Sequence, residues 1–237
     1  KCFFVFASSH VGSVSMRRGS LRMASSPIIG QGKLPVGQDP SELFDVCKHP
    51  GFPPSSVLEK GFGAETTGAV KARGLVHRDG DWHRAVHVWL VDPAGDVLLQ
   101  QRSADKDTNP NLWDVSVAGH IGAGDEGLET AVREVEEEMG IGIDADKLQH
   151  LFNIVSSFAG ETKHGPYQCN EIQEVFLVRL AELHQDMAYV AHAGEVSAWR
   201  TEKLSITESA LLSGDSEYVP RSRAYIEAFF AAARRKE

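Results

Sequence analysis

Acidic side chains are missing from residues 1–38, although the 237-residue chain carries 33 Asp and Glu against 24 Lys and Arg. That leader holds Lys1, Arg17, Arg18, Arg22 and Lys33 among many serines. An Arg- and Ser-rich, acid-free leader ahead of an acidic remainder predicts an organelle transit peptide over 1–38. A plastid is the first destination and a mitochondrion the alternative; a cytoplasmic protein with a disordered tail is the plain reading. The chain opens on Lys1, which makes Met16 and Met23 candidate starts. Long apolar runs are also missing: nothing approaches the roughly 20 residues a membrane helix needs, so no helical span is expected. Cysteine is scarce, at three (Cys2, Cys47, Cys169) with no Cys-x-x-Cys pair, which excludes a disulfide framework and a thiolate zinc site. A net charge of −9 argues against unspecific nucleic-acid binding, which rests on a basic surface.

What is present is ordinary globular composition, 42% hydrophobic and 24% charged, enough for one domain with a substantial core. Residues 41–47 predict a short helix, and the Pro- and Gly-punctuated stretch 50–68 a loop. Ala85–Val91 is apolar and β-branched, Asp92–Gly95 is a turn, and Val97–Gln101 resumes the pattern, which predicts a β-hairpin. Residues 126–139 have helical periodicity, with Leu128, Ala131, Val132, Val135 and Met139 on one face and Gly140 as the stop. Further strands are expected at 151–157, 174–180 and 195–200, and helices at 201–212 and 222–235. The last helix carries Tyr225, Phe229 and Phe230, whose default place is the core. Strands and helices intermingle without a repeat, so residues 39–237 read as a single α/β-type domain.

The helix at 126–139 carries the chemistry. Glu134, Glu137 and Glu138 fall at i, i+3 and i+4, one turn apart on one side. Clustered carboxylates raise one another's pKa unless a cation sits among them, and an all-oxygen cluster suits Mg²⁺ or Mn²⁺. Alone, such a helix face is more often simply solvated.

The stretch from Gly119 to Ile141 resembles the Nudix box, G-x5-E-x7-R-E-U-x-E-E-x-G-U with U aliphatic. Eight of the nine specified positions match, and Asp125 stands where the family has Glu. The resemblance implies a Nudix fold, an α/β (α+β) arrangement with a mixed β-sheet sandwiched between α-helices. It implies cleavage of a diphosphate linkage, with Glu134, Glu137, Glu138 and the Gly119 carbonyl as ligands of Mg²⁺ or Mn²⁺. The family glutamate at position 125 braces Arg133; the shorter Asp125 weakens that link, and Glu126 is a candidate to compensate. The general base is left open among Glu137, Glu138, Glu171 and Glu174.

Outside the box, Trp82–Trp89, Gln100–Lys106 and Pro110–Trp113 look like the isopentenyl-diphosphate isomerase branch of the superfamily. In that branch the equivalents of Arg102 and Lys106 grip the substrate diphosphate. The isomerase also needs a cysteine two residues before a metal-binding histidine; this chain reads Ala118-Gly119-His120, and Ala118 cannot carry a proton to or from carbon. His83 and His120 match two ligands of the isomerase metal site. His77 is one residue out of register for a third, Glu171 matches one of two glutamates, and Cys169 occupies the other. These histidines form either a second metal site or structural remnants. Phe44-Asp-Val, His77–Asp81 and Ala118–Ile121 are shared with the isomerase-like Nudix hydrolases of bacteria and plants.

The expected function is therefore a divalent-metal-dependent hydrolase acting on a small-molecule diphosphate, either an isoprenoid diphosphate or a nucleoside diphosphate derivative. The alternatives are an isomerase with a displaced cysteine and a Nudix domain that binds without turnover. Specificity is expected from variable segments at 157–168 and 189–194.

Overall fold

The branched apolar run at 85–91 forms the middle of a strand because it is buried on both faces, as a central strand requires. The computed structural model describes residues 42–106, 108–162, 165–180 and 195–235. The leader 1–38 and the segment 189–194 lie outside the described residues. In chain order the strands are β1 (Leu43–Cys47), β2 (Val57–Leu58) and β3 (Thr66–Ala72). After helix α1 (Arg73–Asp79) come β4 (Trp82–Val91), β5 (Asp96–Arg102), β6 (Trp113–Asp114) and β7 (Val117–His120). Helix α2 (Gly127–Met139) precedes β8 (Gln149–Thr162), β9 (Gly165–Arg179) and β10 (Val196–Lys203), and α3 (Leu204–Ser213) and α4 (Arg223–Ala233) close the chain.

The sheet runs β10-β5-β4-β9-β8-β2, with β1 and β3 joined to it through β4, β6 on β5 and β7 on β4. It is mixed: β4 and β9 are parallel from Trp82↔Asn170 to Val91↔Arg179, and the other named pairs are antiparallel. The expected hairpin is present, but β4 and β5 pair only at Leu90↔Leu98 and Val91↔Val97 before separating. From Ala85 to Val88 the edge of β4 is taken instead by β7. That exchange opens the strands where the candidate residues gather.

Helices cover both faces of the sheet. Val86, Val88, Leu90, Phe176 and Val178 pack with Ala131, Val135 and Met139 of α2. Trp89, Leu99, Phe152, Val175 and Leu177 pack with Tyr225, Phe229 and Phe230 of α4. Trp89 stacks on Phe229 with ring centroids 4.2 Å apart. Gly140 ends α2 in the left-handed conformation at φ 68°, and the Ser222 hydroxyl caps α4 by accepting from the Tyr225 N–H. Leu128, expected on the buried stripe, is 40% exposed, while Gly127 and Thr130 of the same turn are buried.

Two further expectations are corrected. Where a helix was expected over 41–47, the described part is a strand: Phe44 and Val46 point inward while Leu43 stays exposed, and β1 pairs with β3. Of the supposed variable loop at 157–168, the described residues 157–162 and 165–168 belong to the paired strands β8 and β9, with Ser157↔Asn170 and Thr162↔Gly165 in register. Its polar residues bond across the strands, as Ser157 Oγ donates to Asn170 Oδ1 at 2.7 Å. Among the described residues no helix is long and apolar enough to cross a membrane.

Candidate active site

The three glutamates of α2 occupy three different environments. Glu137 is half exposed, Glu134 lies against Gly119, and Glu138 is buried. Gly119 is required for that approach: a Cβ there would lie 2.7 Å from Glu134 Cγ. Burial, and then the neighbouring Glu134, push Glu138 up to about 8. Burial likewise raises Glu134, with Arg133 opposing it. The Glu138 Oε2 atom is buried without a hydrogen-bond partner. A divalent cation is the group that answers an orphaned carboxylate oxygen and the mutual repulsion of two buried carboxylates. The residues present therefore fit Mg²⁺ or Mn²⁺.

Arg133 pairs with Glu134 and Glu137, each at 3.1 Å. The Asp125 carboxylate turns instead toward Gly122, and its carbonyl accepts from Arg84 at 2.5 Å. Neither Asp125 nor Glu126 braces Arg133 among the described residues; the side chain at 125 is one methylene short and folds back on its own turn.

Arg102 and Lys106 both sit beside Glu138. Arg102 donates to the Thr108 carbonyl from Nε and Nη2 and to Asp114 Oδ2 from Nη1, at 3.1, 2.9 and 3.2 Å. Most of its fork is thus turned to the protein, holding the 103–112 turn. Lys106 is ion-paired with Glu195, and burial and then Arg102 pull it down to about 8. Two cations escaped the sequence reading. Arg73, at the start of α1, pairs with Glu42 at 2.9 Å while its Nε is buried without a hydrogen bond. Arg221, just before α4, pairs with the same Asp114 that holds Arg102. No local pattern announces either one; they arrive through tertiary contacts.

The histidines assemble a second group. His77 of α1, His83 of β4, and Cys169 and Glu171 of β9 present ligand atoms within 4.8 Å of one another. His120 of β7 joins them, its Nε2 3.3 Å from Glu171 Oε1, with His83 Nε2 at 3.6 Å. Phe44 stacks against His83 and His120 at 5.4 and 4.7 Å. His77 is therefore in place despite its register offset, because the left-handed Gly80 closes α1 early enough to bring it round. Cys169 enters this group as a buried neighbour of Glu171.

Burial, and then His120 and His83, drive His77 down to about 3; burial and then Arg73 take His120 to about 4. Burial would raise Glu171, but His120 and His83 hold it well below the usual carboxylate range. Burial and Glu171 raise the Cys169 thiol, which donates to Glu171 Oε1 at 3.1 Å. The lowered values keep His77 and His120 neutral near pH 7, the state in which an imidazole can ligate a metal. His83 Nε2 and His120 Nε2 are buried with no well-aligned hydrogen bond. Gln173 Nε2 braces the other Glu171 oxygen at 2.7 Å.

The two groups adjoin through β7, where Gly119 faces Glu134 and His120 faces Glu171. Glu174 stands apart at the start of α2, 3.5 Å from Arg84 and against Gly127. Cys47 lies on β1 near Asp45 and Arg84, away from Ala118.

A family model described as the NUDIX domain matches residues 81–223. The chain is similar to Nudix hydrolase 3 of Arabidopsis thaliana, 42% identical over 157 residues, or 66% of this chain and 20% of that protein. It is also similar to the isopentenyl-diphosphate Delta-isomerase of Serratia proteamaculans, 37% identical over 116 residues, 42% of this chain and 65% of that one. Among solved structures, DR0079 of Deinococcus radiodurans overlays with a TM-score of 0.52 at 18% identity, covering 82% of this chain and all of that one. This chain spans about a fifth of the length of the Arabidopsis relative and under half of an uncharacterized Nudix hydrolase of Clostridium acetobutylicum.

Proposed function

This chain belongs to the NUDIX domain family, and on that premise we propose that it is a divalent-metal-dependent hydrolase cleaving a diphosphate linkage in a small metabolite. The observation that carries the reading is the buried, unpartnered Glu138 Oε2 beside Glu134, with Lys106 and Arg102 facing them. Glu134, Glu137, Glu138 and the Gly119 carbonyl would hold Mg²⁺ or Mn²⁺, which on binding neutralises the diphosphate and makes a bound water more acidic. Lys106 and the free part of the Arg102 fork supply positive charge for the phosphate oxygens. Arg133 positions Glu134 and Glu137, and Glu137 or Glu138 takes the water proton. Glu174 is set aside as base because it is committed to Arg84 and the start of α2. His77, His83, His120 and Glu171, with Cys169 beside them, are a second candidate metal site. Ala118 opposes the isomerase reading, since it offers no ionisable group to the cleft. Residues 1–38 remain proposed as a plastid address.

Phosphate release from isoprenoid diphosphates, ADP-ribose, NADH and nucleoside diphosphates, with Mg²⁺ or Mn²⁺, tests the reading. Metal-dependent turnover that Glu137→Gln lowers by about 10²-fold or more supports it. Interconversion of the two five-carbon diphosphates without hydrolysis would sink it.

A further inference from the structure

Asp114 is a buried carboxylate shared between two guanidinium groups. Its Oδ2 accepts from Arg102 at 3.2 Å, and its Oδ1 accepts from Arg221 and, at 2.8 Å, from the Val115 N–H. Arg102 spends nearly all its donors on Asp114 and Thr108. Arg221 does not: Asp114 is its one hydrogen-bond partner among the described residues, so Nε and Nη1 are uncommitted. Its side chain is only 12% exposed and lies over the Tyr225 ring, 5.5 Å from the centroid. The backbone beneath is fixed, because Trp113 and the 217–219 segment exchange hydrogen bonds in both directions at 2.8 Å. Arg221 is thus a rigid, part-satisfied cation on the wall next to the proposed diphosphate grip.

That wall is polar beyond the arginine. On the α4 side of the sheet, His87 Nδ1 meets Tyr225 Oη at 3.1 Å, Trp89 Nε1 donates to the same oxygen at 2.9 Å, and Gln173 reaches Glu171. Ala118 pairs directly with His87 across β4 and β7 and adds only a methyl group to that face. The apolar residues of this face are interleaved with the polar ones: Val175 pairs with His87, Leu177 with Trp89, and Val91 follows beyond. Burying His87, Gln173 and Arg221 costs free energy that aliphatic side chains at those positions would not. A wall built to enclose a hydrocarbon chain has no use for them.

We propose that Arg221 is a specificity-determining residue that receives an oxygen-rich group attached to the diphosphate, so that the substrates carry a ribose, phosphate or carboxylate there rather than a prenyl chain. This rests on the hydrolase reading and narrows its substrate class. Asp114 couples the two recognitions: one oxygen orients the arginine facing the diphosphate, the other orients the arginine facing what is joined to it.

The test compares ADP-ribose with geranyl diphosphate on wild type, Arg221→Met and Arg221→Lys, reading kcat/KM with Mg²⁺. Dissociation constants for the same two compounds are measured with divalent ions chelated. Wild type should prefer ADP-ribose. Arg221→Met should lower kcat/KM and affinity for ADP-ribose by about 10- to 100-fold, the loss of a charge-assisted hydrogen bond, and leave geranyl diphosphate unchanged or better. Arg221→Lys keeps a cation on the wall and should recover part of the loss even if the methionine variant folds poorly. Equal losses on both compounds would overturn the proposal by assigning Arg221 to the shared diphosphate. A wild-type preference for geranyl diphosphate would overturn it as well. Absence of turnover with the Arg221-dependent affinity ratio intact would refute the hydrolase reading and sustain the assignment of the wall.

Discussion

His87 offers a quantitative test of the electrostatics behind the site. Its ring is buried, and burial, followed by the nearby Arg221, lowers it from 6.5 to about 3. In the unfolded chain the same imidazole takes a proton near pH 6.5. Between those values the unfolded state binds a proton that the folded state refuses, so stability is fully present above pH 6.5 and is lost as pH falls toward 3. Between about pH 7.5 and about pH 5 the loss assigned to His87 is about 2 kcal/mol, a substantial share of the roughly 5–15 kcal/mol of an ordinary domain. His77 and His120 lose stability in the same direction and window. Glu171, held low, keeps its full contribution above its ordinary pKa and loses it only as pH falls below that value, so it stays out of the window. Urea unfolding of wild type and His87→Gln at both pH values, with divalent ions chelated, isolates the one group, because the other histidines cancel in the difference. The glutamine variant should lose about 2 kcal/mol less than wild type over that interval. Equal losses in the two proteins would refute the argument that His87 is buried in its neutral form.

Two other substitutions separate metal binding from architecture. Gly119→Ala adds a methyl group where Glu134 stands and must displace that carboxylate, so Mn²⁺ affinity measured by calorimetry should fall by about 10- to 100-fold. The fold should survive, as Gly119 is not among the positive-φ glycines. Asp114→Asn strips the charge from a carboxylate that two arginines share, and should cost about 3–5 kcal/mol in chemical denaturation, as for other buried ion pairs that lose one partner. A neutral result would show that both guanidinium groups find other partners.

The box helix was legible because its signals agree: periodicity, the Gly140 stop and the spaced glutamates all point to 127–139. What periodicity could not give is how unequal those glutamates are, since the depth of Glu138 follows from β7 leaving its edge to α2. The strand at 43–47 was misread because five residues, four of them apolar, carry no decisive period, and only pairing with β3 settles them. His77 looked displaced because spacing along a chain says little about position once a helix and a left-handed glycine intervene. Arg73 and Arg221 were invisible for the same reason: an arginine before a helix is common, and only tertiary contacts bring Arg73 to Glu42 and Arg221 to Asp114.

The strand Val117–His120 explains why the motif reveals the chemistry so much better than the substrate. Alternation sends Val117 into the α2 core, Ala118 to the face shared with His87, Gly119 toward Glu134 and His120 toward Glu171. Two of these four consecutive residues are nearly without side chains, and at Gly119 that is what lets the Glu134 carboxylate come in against the strand. The wall that would choose among diphosphates is assembled differently: Arg221 reaches it from a loop more than a hundred residues away along the chain, anchored through Trp113 and oriented by Asp114. A substitution there alters what fits beside the diphosphate and leaves the metal ligands where they are. On the reading proposed here, catalysis and selection rest on separate parts of the chain that meet at a single carboxylate, and selection can drift while the box remains intact.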